Sequence, residues 1–166
     1  MIIGVGTDTV VIDRVRAIKS RWGERFAQRV LGPREYQEYQ RRQSRGAAGE
    51  DRAVRYLAKR FAAKEAIGKA LGVGLSHPMS LHAVEILNDA KGAPIASPQK
   101  ALADYIASKG YQIHVSISDE LDNAQALAIV VANPRLANTA VTSLEQMQQI
   151  NFFAELVQAG AWPPIN

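Results

Sequence analysis

Residues Arg55–Leu71 read RYLAKRFAAKEAIGKAL and lead directly into Gly72-Val73-Gly74. The run consists mainly of strong helix formers, has no proline, and has one internal glycine, Gly68, so it predicts a long helix. The glycines that follow allow the backbone to approach a ligand closely. Because the helix also carries a carboxylate, Glu65, among several cations, this region is suited to holding a divalent metal beside a phosphorylated substrate.

The composition is that of an ordinary globular chain with an excess of positive charge. Of 166 residues, 47% are hydrophobic and 22% are charged, which predicts a single domain with a modest core. The absence of cysteine excludes disulfides, thiolate metal sites and a cysteine nucleophile, and fits a reducing compartment. The net charge of +4 favours an anionic partner. The N-terminal MIIGVGTDTVV lacks a basic or long apolar stretch, so we expect no signal peptide, no membrane contact and a cytoplasmic location.

Outside the long helix, apolar periodicity and turn residues predict further strands and helices. Strands are expected at Met1–Gly6, Leu81–Asn88, Gln112–Ser118 and Ala126–Ala132, the first of them ending in a Gly-x-Gly turn. Helices are expected at Val11–Gly23, Arg34–Arg42 and Pro98–Lys109, and the polar stretch Gln43–Asp51 is expected to be a mobile loop.

Asn133-Pro134 predicts a boundary in the chain. We expect one domain at residues 1–133 and a C-terminal extension at 134–166. Thr142 and Glu145 form a possible capping box, and apolar residues at helical spacing after it predict a helix that ends near Gly160. No function follows for this extension.

Two carboxylates, Asp8 and Glu65, are candidates for a metal site. Asp8 follows Gly4-Val5-Gly6-Thr7, where an aspartate is often only a turn former or a helix cap. Magnesium, however, prefers one or two carboxylates together with substrate phosphates and water. Spacing alone does not bring the two residues together, so both interpretations stay open.

Two lysines and a histidine offer further chemistry. Lys64 lies in an apolar stripe of the long helix, where a side chain commonly extends to the surface. Lys69 lies four residues after Glu65, at the spacing of a surface ion pair, although the same cations would also suit phosphates. His114 lies on the polar face of a predicted strand, where it is either simply exposed or a general base for a hydroxyl proton.

A basic strip is predicted on the first helix. Arg14, Arg21 and Arg25 share one helical face with Ile18 between them, provided that the helix continues past Gly23. Such residues are often only a solvated face. Arginines around an apolar centre are also typical of protein-binding surfaces, and here they would suit an acidic helix.

Three segments in order give the chain a family resemblance: IIGVGTD at Ile2–Asp8, RFAAKEAIGKALGVG at Arg60–Gly74 and HVSISD at His114–Asp119. Over about residues 1–133 the chain resembles the holo-acyl-carrier-protein synthases, which are small 4'-phosphopantetheinyl transferases. It departs from them at Val73, where the family often has threonine. The resemblance implies an α+β fold with a mainly antiparallel sheet packed against a long helix, and a homotrimer whose active sites are shared between neighbouring subunits.

The resemblance also implies a reaction. A 4'-phosphopantetheine group would pass from coenzyme A to a serine hydroxyl of an acidic apo acyl carrier protein, as part of fatty acid biosynthesis, with adenosine 3',5'-bisphosphate as the other product. Mg²⁺ would be held by Asp8 and Glu65. The implied catalytic residues are Asp8, Glu65, Lys69 and His114. The implied contacts to coenzyme A are Arg60, Lys64, Lys69, Gly72, Gly74 and His114. The implied carrier contacts are Arg14, Ile18, Arg21 and Arg25.

Several alternatives remain open at this point. The base that accepts the serine proton could be His114, Glu65 or a metal-bound water. The chain could be a non-catalytic protein that still binds the carrier, although the retention of Asp8, Glu65, Lys69 and His114 argues against this. A basic nucleic-acid-binding module is disfavoured because only 7% of the residues are aromatic and no stacking motif is present. We therefore expect no nucleic-acid partner.

Overall fold

Two antiparallel sheets and a long central helix organise the chain. The computed structural model describes residues 1–133, and the expected helix at 134–166 lies outside them. The strands are β1 (Ile2–Val11), β2 (Val84–Asn88), β3 (Pro94–Pro98), β4 (Tyr111–Asp119) and β5 (Asn123–Ala132). The helices are α1 (Ile12–Trp22), α2 (Glu24–Val30), α3 (Pro33–Gln43), α4 (Gly49–Ala70) and α5 (Lys100–Lys109). The predicted α+β class is confirmed.

The larger sheet has the strand order β1-β5-β4, and β2 and β3 form a separate hairpin. The central strand β5 alternates buried and more exposed positions, as expected for a sheet with one covered face. Its buried residues are mostly small, including Ala124, Ala126 and Ala128, which lets α4 lie close to the sheet. The register pairs Asp8 with Ala126 and Ala126 with Ile117, so these residues mark one row across the sheet.

Two glycines allow the contact between β1 and α4. A Cβ atom on Gly6 would lie 2.6 Å from the Ala70 nitrogen, and one on Gly4 would overlap the Ala70 carbonyl. The predicted turn at these glycines is therefore wrong: both lie inside β1, which continues to Val11. Their role is close packing against a helix rather than chain reversal.

Other predicted boundaries shift in the structure. The loop expected at Gln43–Asp51 is confined to residues 44–48, because α3 ends at Gln43 and α4 begins at Gly49, where two acidic residues in its first turn favour a helix N-terminus. Helix α1 ends at Trp22 since Gly23 has a φ of 58°, so Arg25 lies on α2. Helix α5 begins at Lys100 instead of Pro98 because Pro94–Pro98 pairs with β2.

Helix α4 forms the centre of the core. Its buried residues include Leu57, Ala62, Ala66 and Ile67, and it contacts β1, β4 and β5 as well as the N-terminal helices. Among residues 1–133, no helix has the length and apolar character needed to cross a membrane.

Candidate active site

The space between β1 and the last turns of α4 brings together three of the predicted catalytic residues. Asp8 shares the α4-facing row of β1 with Gly6 and Val10. Lys69 Nζ donates to Asp8 Oδ1 at 2.8 Å and to the Thr7 carbonyl at 2.9 Å. The spacing in the sequence predicted an ion pair between Lys69 and Glu65 on the same helix. In the structure Lys69 instead reaches across to β1.

Glu65 lies one helical turn before Lys69 and is close enough to Asp8 for the two charges to interact. Partial burial raises the pKa of the Glu65 carboxyl, the negative charge of Asp8 raises it further, and Lys69 lowers it. The pKa of Lys69 is raised, chiefly by its hydrogen bond to Asp8. Two carboxylates of like charge sharing one site favour a bound cation.

The donor set fits a magnesium ion. In the part of the chain that the structure describes, no group of three or more His, Cys, Asp or Glu side chains comes together, so the protein offers an oxygen pair rather than a complete cage. Magnesium is commonly bound by one or two carboxylates with the remaining positions left to phosphates and water. The Asp8 side chain keeps 18% of its surface exposed, which leaves access for such ligands.

The glycine corner after α4 is a tight reversal. Gly72 and Gly74 have φ values of 73° and 58°, which other residues adopt only with strain. The amides of Val73 and Gly74 donate to the Gly68 carbonyl at 3.2 and 3.0 Å. A Cβ atom on Gly68 would lie 2.8 Å from the Gly74 carbonyl carbon, so this glycine is needed for the loop to fold back onto the helix.

Lys64 does not take part in this arrangement. Its side chain is fully buried, and its Nζ donates to Glu35 Oε2 at 2.6 Å, to the Val30 carbonyl at 2.7 Å and to the Leu81 carbonyl at 2.6 Å. An ammonium has three donors, so all are used. The expected extension of Lys64 to the surface is wrong because it has a buried partner, and we leave it out of the proposed coenzyme A contacts.

Arg60, which lies before Glu65 on α4, lines a small basic pocket. Its side chain is 4% exposed, it lies 4.3 Å above the Tyr56 ring, and it donates to Asn88 Oδ1 at 2.5 Å, while its Nε has no hydrogen-bond partner in the described chain. The pocket has a volume of about 160 Å³ and is also lined by Arg42 and Lys59. Buried guanidinium groups with free donors suit an anion such as a phosphate. The sequence analysis missed the contributions of Arg42, Lys59 and Asn88, which come from three different elements.

His114 lies apart from the carboxylate pair. It is exposed on β4, three residues from Ile117, which shares the row of Asp8. His114 is two strands and three residues away from Asp8. At about 4.8 Å per strand and about 3.4 Å per residue, their Cα atoms are about 14 Å apart. The odd offset also places His114 on the opposite face of the sheet. Within one chain, His114 and Asp8 therefore do not meet.

Two members of the predicted basic strip, Ile18 and Arg25, lie in a groove shared by α1 and α2, whereas Arg14 and Arg21 are exposed on α1 and do not line it. A groove of about 610 Å³ is lined by Ile18, Trp22, Arg25, Phe26 and Arg29. Although Arg25 lies on α2, the break at Gly23 returns it to the side of Ile18. Phe26 and Arg29 of α2 and the exposed Trp22 were not predicted to belong to this surface. Apolar periodicity around the arginines was the signal that could have indicated them.

Comparison with known proteins identifies the family. Residues 4–130 match the family model of the 4'-phosphopantetheinyl transferase superfamily. A holo-[acyl-carrier-protein] synthase of Herminiimonas arsenicoxydans is 46% identical over 130 residues, which are 78% of this chain and 98% of that protein.

Solved structures agree with the sequence comparison. The holo-[acyl-carrier-protein] synthase of Neisseria meningitidis has a TM-score of 0.71 and 36% identity, covering 79% of this chain and 99% of that one. The Helicobacter pylori enzyme of the same name, solved in complex with coenzyme A, has a TM-score of 0.63 and 29% identity, covering 76% and 99%. The fold expected from the resemblance is thus confirmed. The chain belongs to the 4'-phosphopantetheinyl transferase superfamily, as an enzyme of the holo-[acyl-carrier-protein] synthase type.

Proposed function

We propose that the protein transfers 4'-phosphopantetheine from coenzyme A to a serine hydroxyl of an apo acyl carrier protein in a magnesium-dependent reaction. The products are the holo carrier and adenosine 3',5'-bisphosphate. The observation that carries the proposal is the meeting of Asp8, Glu65 and Lys69 between β1 and α4. The H. pylori relative that binds coenzyme A supports the choice of co-substrate.

Each residue of the site has a separate part in this reaction. Mg²⁺ held by Asp8 and Glu65 would supply Lewis-acid stabilisation of charge on the diphosphate oxygens. Lys69 lies beside the same carboxylates and orients a positive charge toward the phosphates. Arg60 and its pocket would hold another phosphate of coenzyme A. The turn at Gly72 and Gly74 has no side chains at these two positions, which would let the main chain approach the co-substrate.

The outer face of the large sheet supports assembly into a homotrimer. Val5, Val11 and Leu127 expose 55%, 49% and 37% of their surface there, and a groove of about 270 Å³ beside Leu127 is lined by hydroxyl-bearing side chains. An apolar sheet face of this kind fits burial against other subunits. His114 lies on the same face, so in this proposal it approaches the site of a neighbouring subunit and not its own.

A charged residue on this face should prevent assembly. We expect Leu127→Lys to convert the trimer to smaller species, because three lysines would be buried at low dielectric. Light scattering coupled to size exclusion measures the mass. Lys100→Glu on α5 is the control, and an unchanged trimer mass in Leu127→Lys would contradict the use of this face.

The basic groove of α1 and α2 is the proposed docking surface for the acidic carrier. We expect reversal of the two arginines that line it, by Arg25→Glu and by Arg29→Glu, each to raise the carrier KM by about tenfold, since reversed charges repel an acidic helix. The KM for coenzyme A should not change. The control is Lys109→Glu, an exposed cation on α5. A carrier KM insensitive to both reversals would rule out docking at this groove.

Release of adenosine 3',5'-bisphosphate tests the proposed function. Liquid chromatography should detect this nucleotide only when coenzyme A, Mg²⁺ and apo carrier are all present. A carrier with its acceptor serine replaced by alanine, and a reaction with EDTA, should give none. Given coenzyme A and a carrier as partners, we also expect the enzyme to act in the cytoplasm, in fatty acid biosynthesis. Carrier binding without nucleotide release would favour the non-catalytic alternative.

A further inference from the structure

Helix α1 carries two basic side chains on the side opposite its exposed arginines. Lys19 is only 7% exposed. Its Nζ forms an ion pair with Glu50, lies 4.0 Å from Glu24 Oε1 and lies 5.6 Å from the centre of the Tyr39 ring. A lysine buried to this extent needs its partners, because an unpaired ammonium in the interior is costly.

Arg16, one turn before Lys19 and half-exposed, makes the second link. Its Nη2 donates to Asp51 Oδ1 at 2.7 Å. The hydrogen bond from Arg16 is the main cause that lowers the pKa of Asp51, and the hydrogen bond from Lys19 does the same for Glu50. Both carboxylates belong to the first turn of α4, so α1 is held to the N-terminus of α4 by two charge pairs.

A third connection closes the arrangement at the start of α1. Asp51 Oδ2 accepts a hydrogen bond from Arg55 Nε at 2.8 Å, and the Arg55 guanidinium donates to the carbonyls of Glu120 and Leu121 at 3.1 Å. Asp122 is the next residue of this turn, and its backbone carbonyl accepts a hydrogen bond from the Ile12 amide at 2.9 Å. Asp51 therefore fixes both the middle of α1 and, through Arg55, the turn that holds its first residue.

Helix α4 joins this attachment to the metal site. Asp51 and Glu65 are 14 positions apart on one continuous helix, which corresponds to about 21 Å at 1.5 Å per residue. The same rigid element thus carries the two carboxylates that hold α1 at one end and a metal-binding carboxylate near the other. A helix without a proline transmits position well because it does not bend at a hinge.

We propose that Glu50 and Asp51 are positioning residues that hold the carrier-docking face of α1 at a set place relative to the Asp8–Glu65 pair. This inference rests on the proposed function, since it assigns these residues to delivery of the carrier serine. They do not touch the co-substrate. Their loss reduces productive use of the carrier and leaves coenzyme A binding unchanged, because a reactant displaced by about 1 Å reacts far more slowly.

The test is a double-mutant cycle on carrier kinetics with the full chain. The single variants are Arg16→Gln and Asp51→Asn, whose side chains are both partly exposed, so neither should prevent folding. We expect each to lower kcat/KM for the carrier by about fivefold to tenfold, and the double variant to lower it by no more than Asp51→Asn alone, because both remove one interaction. The coenzyme A KM should stay within about twofold of the wild type.

Controls separate positioning from general damage. Asp104→Asn changes an exposed carboxylate of α5, outside all the proposed binding surfaces, and should leave carrier kinetics unchanged. Glu50→Gln tests the second pair and should act as Asp51→Asn does. In hydrogen exchange, the α1 amides should lose protection in Asp51→Asn and in Glu50→Gln, while the α4 amides near Glu65 keep theirs.

The outcomes distinguish this inference from the proposed function. Normal carrier kinetics in Asp51→Asn and Glu50→Gln would overturn the positioning role, because apolar packing of α1 would then suffice. An equal rise in both KM values would also overturn it, since it would show a general effect on the site. Absence of transfer by the wild-type protein would instead refute the proposed function. In that case hydrogen exchange still tests the attachment of α1 to α4, and unchanged exchange of the α1 amides in the variants would contradict it.

Discussion

Asp8→Ala and Glu65→Ala should each lower the rate of transfer by at least about 10²-fold, the usual scale for loss of one group that stabilises developing charge. The reason is that only two carboxylates converge between β1 and α4 in the described chain, so losing either leaves Mg²⁺ with a single protein ligand. The measurement is the initial rate of holo carrier formation at saturating Mg²⁺.

Neither substitution should unfold the protein. Partial burial and, after it, the negative charge of Asp8 raise the pKa of the Glu65 carboxyl, so these carboxylates are not placed to favour folding, and both are partly exposed. We therefore expect melting temperatures close to that of the wild type. Asp104→Ala, an exposed carboxylate of α5, is the matched control and should keep full activity. Substantial transfer by either Asp8→Ala or Glu65→Ala would sink the assignment of the metal pair.

Glu35→Ala should be among the most destabilising single substitutions in the described domain. Glu35 is fully buried and accepts hydrogen bonds from Lys64 Nζ at 2.6 Å, from the Gly32 amide at 2.8 Å and from the Ile86 amide at 2.7 Å. Its removal leaves a buried ammonium without its counter-charge, which typically costs about 3–5 kcal/mol. The free energy of unfolding in urea, compared at one protein concentration because subunit association would add to it, is the measurement.

A matched control lies one turn along the same helix. Glu38 is paired with Arg41 and Arg42 near the surface, with 26% of its side chain exposed, so Glu38→Ala should cost at most about 1 kcal/mol. Equal effects of the two substitutions would contradict a structural role for the Lys64–Glu35 pair. Lys64→Met should also destabilise, and its activity per folded molecule should stay near that of the wild type because Lys64 does not reach the proposed co-substrate site.

The parts of the fold that could be predicted are those in which local sequence and tertiary role agree. The run from Arg55 to Leu71 consists of helix formers and is helical, and the alternation at Gln112–Ser118 lies within β4. The turn expected at Gly4 and Gly6 fails because glycine is a local signal for reversal, whereas these two are required by a helix that passes over the strand. No local pattern distinguishes the two uses.

The same difference separates the predictable from the unpredictable part of the site. Glu65 and Lys69 share a helix, but the partner of Lys69 is Asp8, 61 residues away. Only the family resemblance placed Asp8 in one site with these two residues. Neither interpretation of Lys64, extension to the surface or contact with coenzyme A, included its burial, because its partner Glu35 is 29 residues distant and on another helix. His114 lies on the sheet face opposite Asp8, so the local pattern that marks it as a polar strand residue does not bring it to the site of its own chain.

In the proposed reaction, the site between β1 and α4 moves a phosphopantetheine group onto a carrier protein. The first experiment is intact mass spectrometry of an apo acyl carrier protein incubated with this protein, coenzyme A and Mg²⁺. We predict a gain in carrier mass equal to one phosphopantetheine group, abolished by EDTA and by Glu65→Ala. An unchanged carrier mass with the folded wild-type protein, or a gain that persists in both controls, would refute transfer at this site.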